Sequence, residues 1–255
     1  MDKKLKELIL KSGNNLHTEV ADLLKKLGWD VEISNYYYDD TADKPREIDI
    51  VASRVETVNY SNSSSDFKVF LFIECKYLTE EVAFRIYDNS KENGRSAILS
   101  HNFSVDILEE TNTALAHNHH YVSIDKIGKL FDSKNNNEIF NAFTSTAKSL
   151  MFFKERRNVK GMFYPIVVYD GIPGIYEIKD NDFSDLDNLK SKETLVFHFN
   201  YSYRSAISNQ LKHQSFCIDF VHKSKLEEFI HKILEPEIKQ VNKFGGFLIM
   251  KGRNL

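Results

Sequence analysis

Cysteine is nearly missing from this chain. Cys75 and Cys217 are the only two in 255 residues, and they lie far apart. That excludes a disulfide framework and a zinc ribbon, and points to a reducing interior. Proline (4) and glycine (10) are also scarce, so collagen-like and low-complexity classes are out. No apolar run approaches the roughly 18 residues that span a bilayer. The opening segment MDKKLKELILKSG has lysines but no apolar stretch of the secretory type. A soluble cytoplasmic protein without membrane contact is expected. Positive charge is not in excess. With a net charge of −3 the overall field does not draw in polyanions, so a nucleic-acid partner must be held by a local basic patch or through metal ions. There is no internal repeat and no glycine-rich phosphate loop, which excludes repeat architectures and nucleotide-driven motors.

What is present is apolar and aromatic. Hydrophobic residues make up 42% and aromatics 13%, with 19 Phe and 12 Tyr, a composition suited to packed sheets. Leu16, Val20, Leu23, Leu24 and Leu27 form one helical stripe that Gly28 ends. Strands are predicted at 29–38, 47–54 and 67–77, with a polar hairpin loop, NYSNSSSD, between the last two. The third strand, FKVFLFIECKY, is apolar on both faces until its end, which places it inside a sheet. A helix over 79–93 follows, then a strand at SAILSHN, a helix at FSVDILEETNTALAHN and a strand at YVSIDKI. The polar run DSKNNNE marks a boundary near residue 135. Beyond it the pattern predicts a helix through AFTSTAKSLMFFKERR and strands at FYPIVVYD, GIYEI, ETLVFHFNY and SFCIDFV. A closing helix, LEEFIHKILEPEIKQV, is interrupted or kinked by Pro236. The fold expected is α/β: a core in residues 1–134 and an α/β extension in 135–255 that belongs to the same globule or to a second one.

The third strand carries the chemistry. Side chains alternate across a sheet, so Glu74 and Lys76 share a face with Phe70 and Phe72, while Cys75 continues the row Val69, Leu71 and Ile73. A carboxylate and an ammonium at the end of so apolar a strand must be paired or metal-bound. In the second strand, REIDIVAS, Asp49 shares a face with Glu47 and Val51. An antiparallel pairing of the two strands brings Asp49 toward Glu74. Two carboxylates there repel unless a cation lies between them, and such oxygens suit Mg²⁺, for which Mn²⁺ substitutes. The Cys75 carbonyl is a further candidate ligand. Lys76 is placed to orient a water or stabilise charge. Glu19, at the edge of the first helix's stripe, is placed at the rim of the helix–sheet contact, where it supports the site or a second ion.

A helix with Glu19, a strand with Asp49 and a strand with Glu74-Cys75-Lys76 resemble the PD-(D/E)xK restriction-endonuclease-like superfamily, nearest the Mrr-type restriction endonucleases. The resemblance covers residues 10 to 130, including SAILSHNFSVDILEETNTALAHNHHYVSID as the strand, helix and strand after the catalytic strand. Ile48 stands where the motif's name has proline. The resemblance implies a central mixed sheet flanked by helices in the order αβββαβαβ. It also implies Mg²⁺-dependent phosphodiester hydrolysis, with Asp49 and Glu74 as ligands and Lys76 assisting the water. DNA is the implied substrate, in restriction or anti-phage defence. A homodimer and a regulatory or targeting protein are further expected partners.

Plainer readings stand beside these. Asp49, Glu74 and Lys76 form a buried ion-pair network without catalysis in a non-catalytic binding module of the same fold. Alternatively, a partner subunit controls the nuclease. For Glu19 the plainer reading is a solvated acid at the helix edge. The run HNHH (117–120) is read as histidines favoured at a helix C-terminus, not as a metal site, since no Cys or Asp partner lies nearby. Lys154, Arg156, Arg157 and Lys160, and the lysines at 3, 4, 6 and 11, either contact phosphates or are solvated. Tyr36, Tyr37 and Tyr38 stack on bases or end an aromatic strand.

Overall fold

A computed structural model describes residues 13–59, 64–98, 100, 119–132, 136–157, 161–179 and 191–240. Helix α1 (Gly13–Lys26) buries Leu16, Val20, Ala21 and Leu24. Its end is a Schellman closure. Gly28, at φ +83°, donates to the Lys25 carbonyl, and Trp29 donates to the Leu24 carbonyl, both at 3.0 Å. The chain then runs through β1 (Asp30–Asp39), β2 (Lys44–Asn59) and β3 (Ser64–Tyr77), paired antiparallel in sequence. Next come β4 (Val82–Asp88), two short helices, α2 (Lys91–Ala97) and α3 (His120–Ser123), then β5 (Lys126–Asp132) and the long helix α4 (Asn136–Glu155). The second half adds β6 (Gly161–Asp170), β7 (Ile175–Lys179), β8 (Ser191–Lys192), β9 (Thr194–Arg204) and β10 (Leu211–His222). It closes on α5 (Leu226–Phe229), whose helical path continues through residues 230–240.

The ten strands of the described residues lie in one mixed sheet, in the order β1-β2-β3-β6-β10-β9-β5-β4-β7-β8. Strands from the two halves of the sequence therefore interleave: β6, β10 and β9 lie between β3 and β5. The boundary near residue 135 falls between β5 and α4 and does not divide the sheet. The fold is α/β with a large mixed sheet flanked by helices. Centrality explains the composition of β6, in which Gly161 through Tyr169 are all buried. One face packs Leu71, Ile73 and Cys75 of β3 against α1 and the C-terminal helix; the other packs Phe70 and Phe72 against Phe153 and other residues of α4.

Three expectations change. The helix expected at 79–93 is instead β4 followed by α2. Val82, Phe84 and Ile86 are buried in strict alternation, a period of two that overrides the helix-capping signal of Thr79. The strand expected at SAILSHN is helical through Ala97. The strand expected at YVSIDKI begins only at Lys126, because residues 120–123 make a helical turn capped by His119. The helix expected at 103–118 lies outside the described residues. The closing helix is not interrupted at Pro236: its helical path runs on to residue 240, with a π turn at Ile230–Leu234 preceding the proline.

Candidate functional site

The site forms where β2 leaves β3. Their ladder ends at the pair Ile50–Ile73, yet β3 continues beside β6 through Tyr77, paired with Asp170. Asp49 and Glu74 are the next residues past the last pair, so they face each other across the opening. Three steps of the local fold place them. Ile48 and Ile50 enter opposite cores although two residues apart, so β2 turns over at Asp49. Opposite this step, Ser34 of β1 has a left-handed φ of +57°. The Asp49 carboxylate then takes over the lost ladder bond: its Oδ2 accepts the Cys75 amide at 2.7 Å.

Glu74 is buried at 4% exposure, on the Phe70–Phe72 side. Lys76 Nζ donates to its Oε2 at 2.9 Å. Burial pushes the Glu74 carboxyl up to about 7; Lys76 opposes that shift, and the negative charges of Asp49 and Glu47 add to it. Burial alone would lower the Lys76 ammonium, but Glu74 and Asp49 outweigh it and hold it above its usual range. Each acid thus uses one oxygen. Among the described residues, Glu74 Oε1 and Asp49 Oδ1 accept no hydrogen bond.

His17 of α1 also approaches, with Nδ1 3.9 Å from Asp49 Oδ1. Sequence reasoning misses it, though Val20, Ala21 and Leu24, three, four and seven residues on, put it inside the buried stripe. Glu19 sits outside that stripe. It is 57% exposed and pairs at 2.7 Å with Lys223, which also holds Asp170 at 2.8 Å. Burial would raise Asp170, but the bonds from Lys223 and the Gly171 amide bring it below its ordinary value. Glu19 therefore belongs to a cluster at the ends of β6 and β10, where His222 Nε2 approaches Asp170 at 3.6 Å. Glu47 is exposed at the rim. No family model, curated protein or solved structure significantly matches this chain.

The basic run is engaged internally. Arg156 pairs with Asp40 and lies 4.9 Å over the Tyr38 ring, Arg157 lies 4.4 Å over Phe153, and Lys154 donates to the Ser100 carbonyl at 2.7 Å. Lys160 and the lysines at 3, 4, 6 and 11 lie outside the described residues. Of the tyrosine triple, Tyr37 is core, Tyr38 binds Asp43 and Tyr36 is exposed. No helix among the described residues is long and apolar enough to cross a membrane.

A second group of titratable side chains is fully inside. His119 and His120 are buried, and the acidic partners that the neighbouring sequence lacks arrive from far along the chain as Asp219 of β10 and Glu237 of the C-terminal helix. His117 and Asn118 are outside the described residues. Burial would lower the His120 imidazole, but Glu237 and Asp219 hold it up to about 10; burial holds His119 down to about 3. The helix at whose C-terminus these two histidines were expected lies outside the described residues; His119 caps the start of α3, and both rings are in the core.

Proposed function

We propose that this chain is a metal-dependent nuclease that hydrolyses phosphodiester bonds through Asp49, Glu74 and Lys76. The observation that supports this best is the fork between β2 and β3, with two carboxylates facing across it and an ammonium beside them. The donor set fits Mg²⁺ or Mn²⁺: hard oxygens from Asp49 and Glu74, each with one oxygen that accepts no hydrogen bond among the described residues, and a buried acid whose ionisation a cation would favour. A bound divalent ion there would supply charge neutralisation and a more acidic water. The chain's own residues do the rest. The Cys75 amide fixes the Asp49 carboxylate, and Lys76 holds Glu74 while remaining partly exposed, able to face a phosphate or its attacking water. His17 of α1 approaches Asp49, where Glu19 was expected. The resemblance to Mrr-type enzymes makes DNA the proposed substrate, with a role in restriction or anti-phage defence, as a homodimer or under a partner subunit.

A second reading draws on the same contacts. Asp49 is satisfied by the Cys75 amide and Glu74 by Lys76, so the trio also serves as a lock on strand ends in a non-catalytic binding module. One experiment separates the two. Plasmid, single-stranded DNA and RNA are incubated with wild type and with Asp49→Asn, in Mg²⁺, Mn²⁺ or EDTA. Asparagine keeps an acceptor for the Cys75 amide, so the variant tests chemistry and not the fold. Metal-dependent cleavage lost in Asp49→Asn is the expected result. Binding of nucleic acid by both proteins without cleavage by either would favour the module.

A further inference from the structure

The group around His120 has the architecture of a ligand set with its supporting bonds already made. His120 Nδ1 lies 2.8 Å from Glu237 Oε1, and its other nitrogen, Nε2, lies 2.9 Å from Asp219 Oδ1. Asp219 is itself fixed by the Tyr121 hydroxyl, which donates to Oδ2 at 2.9 Å. The second imidazole, His119, has Nε2 3.6 Å from Glu237 Oε2, and its ring stacks on His120 with centroids 4.6 Å apart. Tyr164 donates to the same Glu237 oxygen at 3.2 Å. One ligand atom from each of His119, His120 and Glu237 can be chosen so that all three lie within 4.8 Å of one another.

We propose that His119, His120 and Glu237 bind a divalent transition ion, with Zn²⁺ the best fit, and that this ion fastens the C-terminal helix to the sheet. Two imidazoles and one carboxylate are a zinc-type donor set, unlike the all-oxygen set in the β2–β3 fork. Two donors about 2.0–2.1 Å from a tetrahedral ion lie about 3.3 Å apart. The separations at Glu237, 2.8 Å from His120 Nδ1 to Oε1 and 3.6 Å from His119 Nε2 to Oε2, lie on either side of that value, and side-chain shifts would bring the three donors, now within 4.8 Å of one another, onto one ion. Asp219 on the far nitrogen of His120 is the carboxylate–imidazole support that sets which nitrogen faces the metal. Charge argues the same way. Asp219 and Glu237 bring two carboxylates into a buried site, and the basic groups that meet them among the described residues are these histidines. A divalent cation neutralises both acids and leaves the imidazoles as ligands. The three ligands come from α3, its cap and the C-terminal helix, and Asp219 from β10, so the ion ties together segments distant in sequence. His120 and Asp219 also line a cleft of about 530 Å³, bordered by Ser123, Phe229 and Ile233, which gives an ion a path inward.

The test uses the full chain. Protein stripped with a chelator, desalted and reloaded with Zn²⁺ is expected to retain about one ion per chain by elemental analysis and to melt at a higher temperature than the stripped form. Loading with Co²⁺ should give the visible d–d absorption of a nitrogen-ligated, low-coordinate site. Glu237→Gln and His119→Gln should lose that absorption and the thermal shift, while Asp49→Asn should keep both. A folded wild type that retains no zinc and gives no cobalt spectrum would overturn the proposal and leave a proton-held structural network. An unchanged spectrum in both glutamine variants would overturn it too, by placing the ion elsewhere. Should either variant fail to fold, the wild-type spectrum together with a thermal shift from Zn²⁺ but not from Mg²⁺ decides the matter.

Discussion

Lys76 is in contact with an acid it must release, at least in part, to act on anything else, so its contribution is separable from that of the carboxylates. Lys76→Ala should abolish cleavage and leave nucleic-acid binding within a few-fold of wild type, read by gel shift in Ca²⁺. Undiminished cleavage would remove the lysine from the mechanism. Glu74 makes a prediction about stability. Its carboxyl titrates near 7 in the folded chain against an ordinary value of 4.5. A raised acid contributes stability fully below its unfolded value and loses it as pH climbs through the folded one. In EDTA, wild type should therefore lose stability relative to Glu74→Gln between about pH 4.5 and 7, by roughly 3 kcal/mol at most. Paired urea titrations across that window measure the difference, and Mg²⁺ should shrink it. Equal slopes would mean that the acid ionises normally. At α1, His17→Ala should lower metal-dependent cleavage at least ten-fold, whereas Glu19→Ala should change it less than two-fold. The reverse ranking would return the role to Glu19. Glu74 and Lys76 are legible in the sequence because strand periodicity alone puts them on one face, and antiparallel pairing brings Asp49 toward them, whereas the break in alternation that sends Ile48 and Ile50 into opposite cores is not. His17 is less so because an acid two residues on matches the expected ligand type better, although the helical stripe already points to the histidine.

Strands are easier to read than their neighbours. The apolar runs of β3, β6, β9 and β10 announce central strands, and the four are consecutive in the sheet, in the order β3-β6-β10-β9. β4 is obscured because its alternation, seven residues long, sits behind a helix-like start at Thr79. The turn after β6 is a further constraint on the site. Gly171 adopts φ +93°, and a Cβ there would lie 2.2 Å from the Leu78 carbonyl, immediately after the strand that carries Lys76. Gly171→Ala should destabilise the protein by about 2 kcal/mol or more and lower activity beyond what the lost folded fraction explains. Thermal melts beside assays on the folded fraction test this. An unaltered melting temperature would mean that the turn relaxes freely.

At the scale of the molecule, sheet order is the least legible property, since hydrophobic patterns report which residues are inside but not which strand lies beside which. A boundary drawn at the polar run near residue 135 falls between β5 and α4, yet β6 supplies the edge on which β3 completes its ladder. A fragment of residues 1–134 should therefore lack a cooperative unfolding transition and be digested rapidly by trypsin under conditions that spare the full chain. A protease-resistant fragment with its own sharp melt would show that the first half folds alone.

The parallel pairing of β3 with β6 also has a meaning during synthesis. The strand that aligns Glu74 with Val167 and Lys76 with Tyr169 is made by the ribosome only after residue 161, and β10 follows later still. Until then the end of β3 has no partner on that side, and contacts so distant along the chain close slowly. The β6 side of the fork is thus closed only after more than half of the chain has been made.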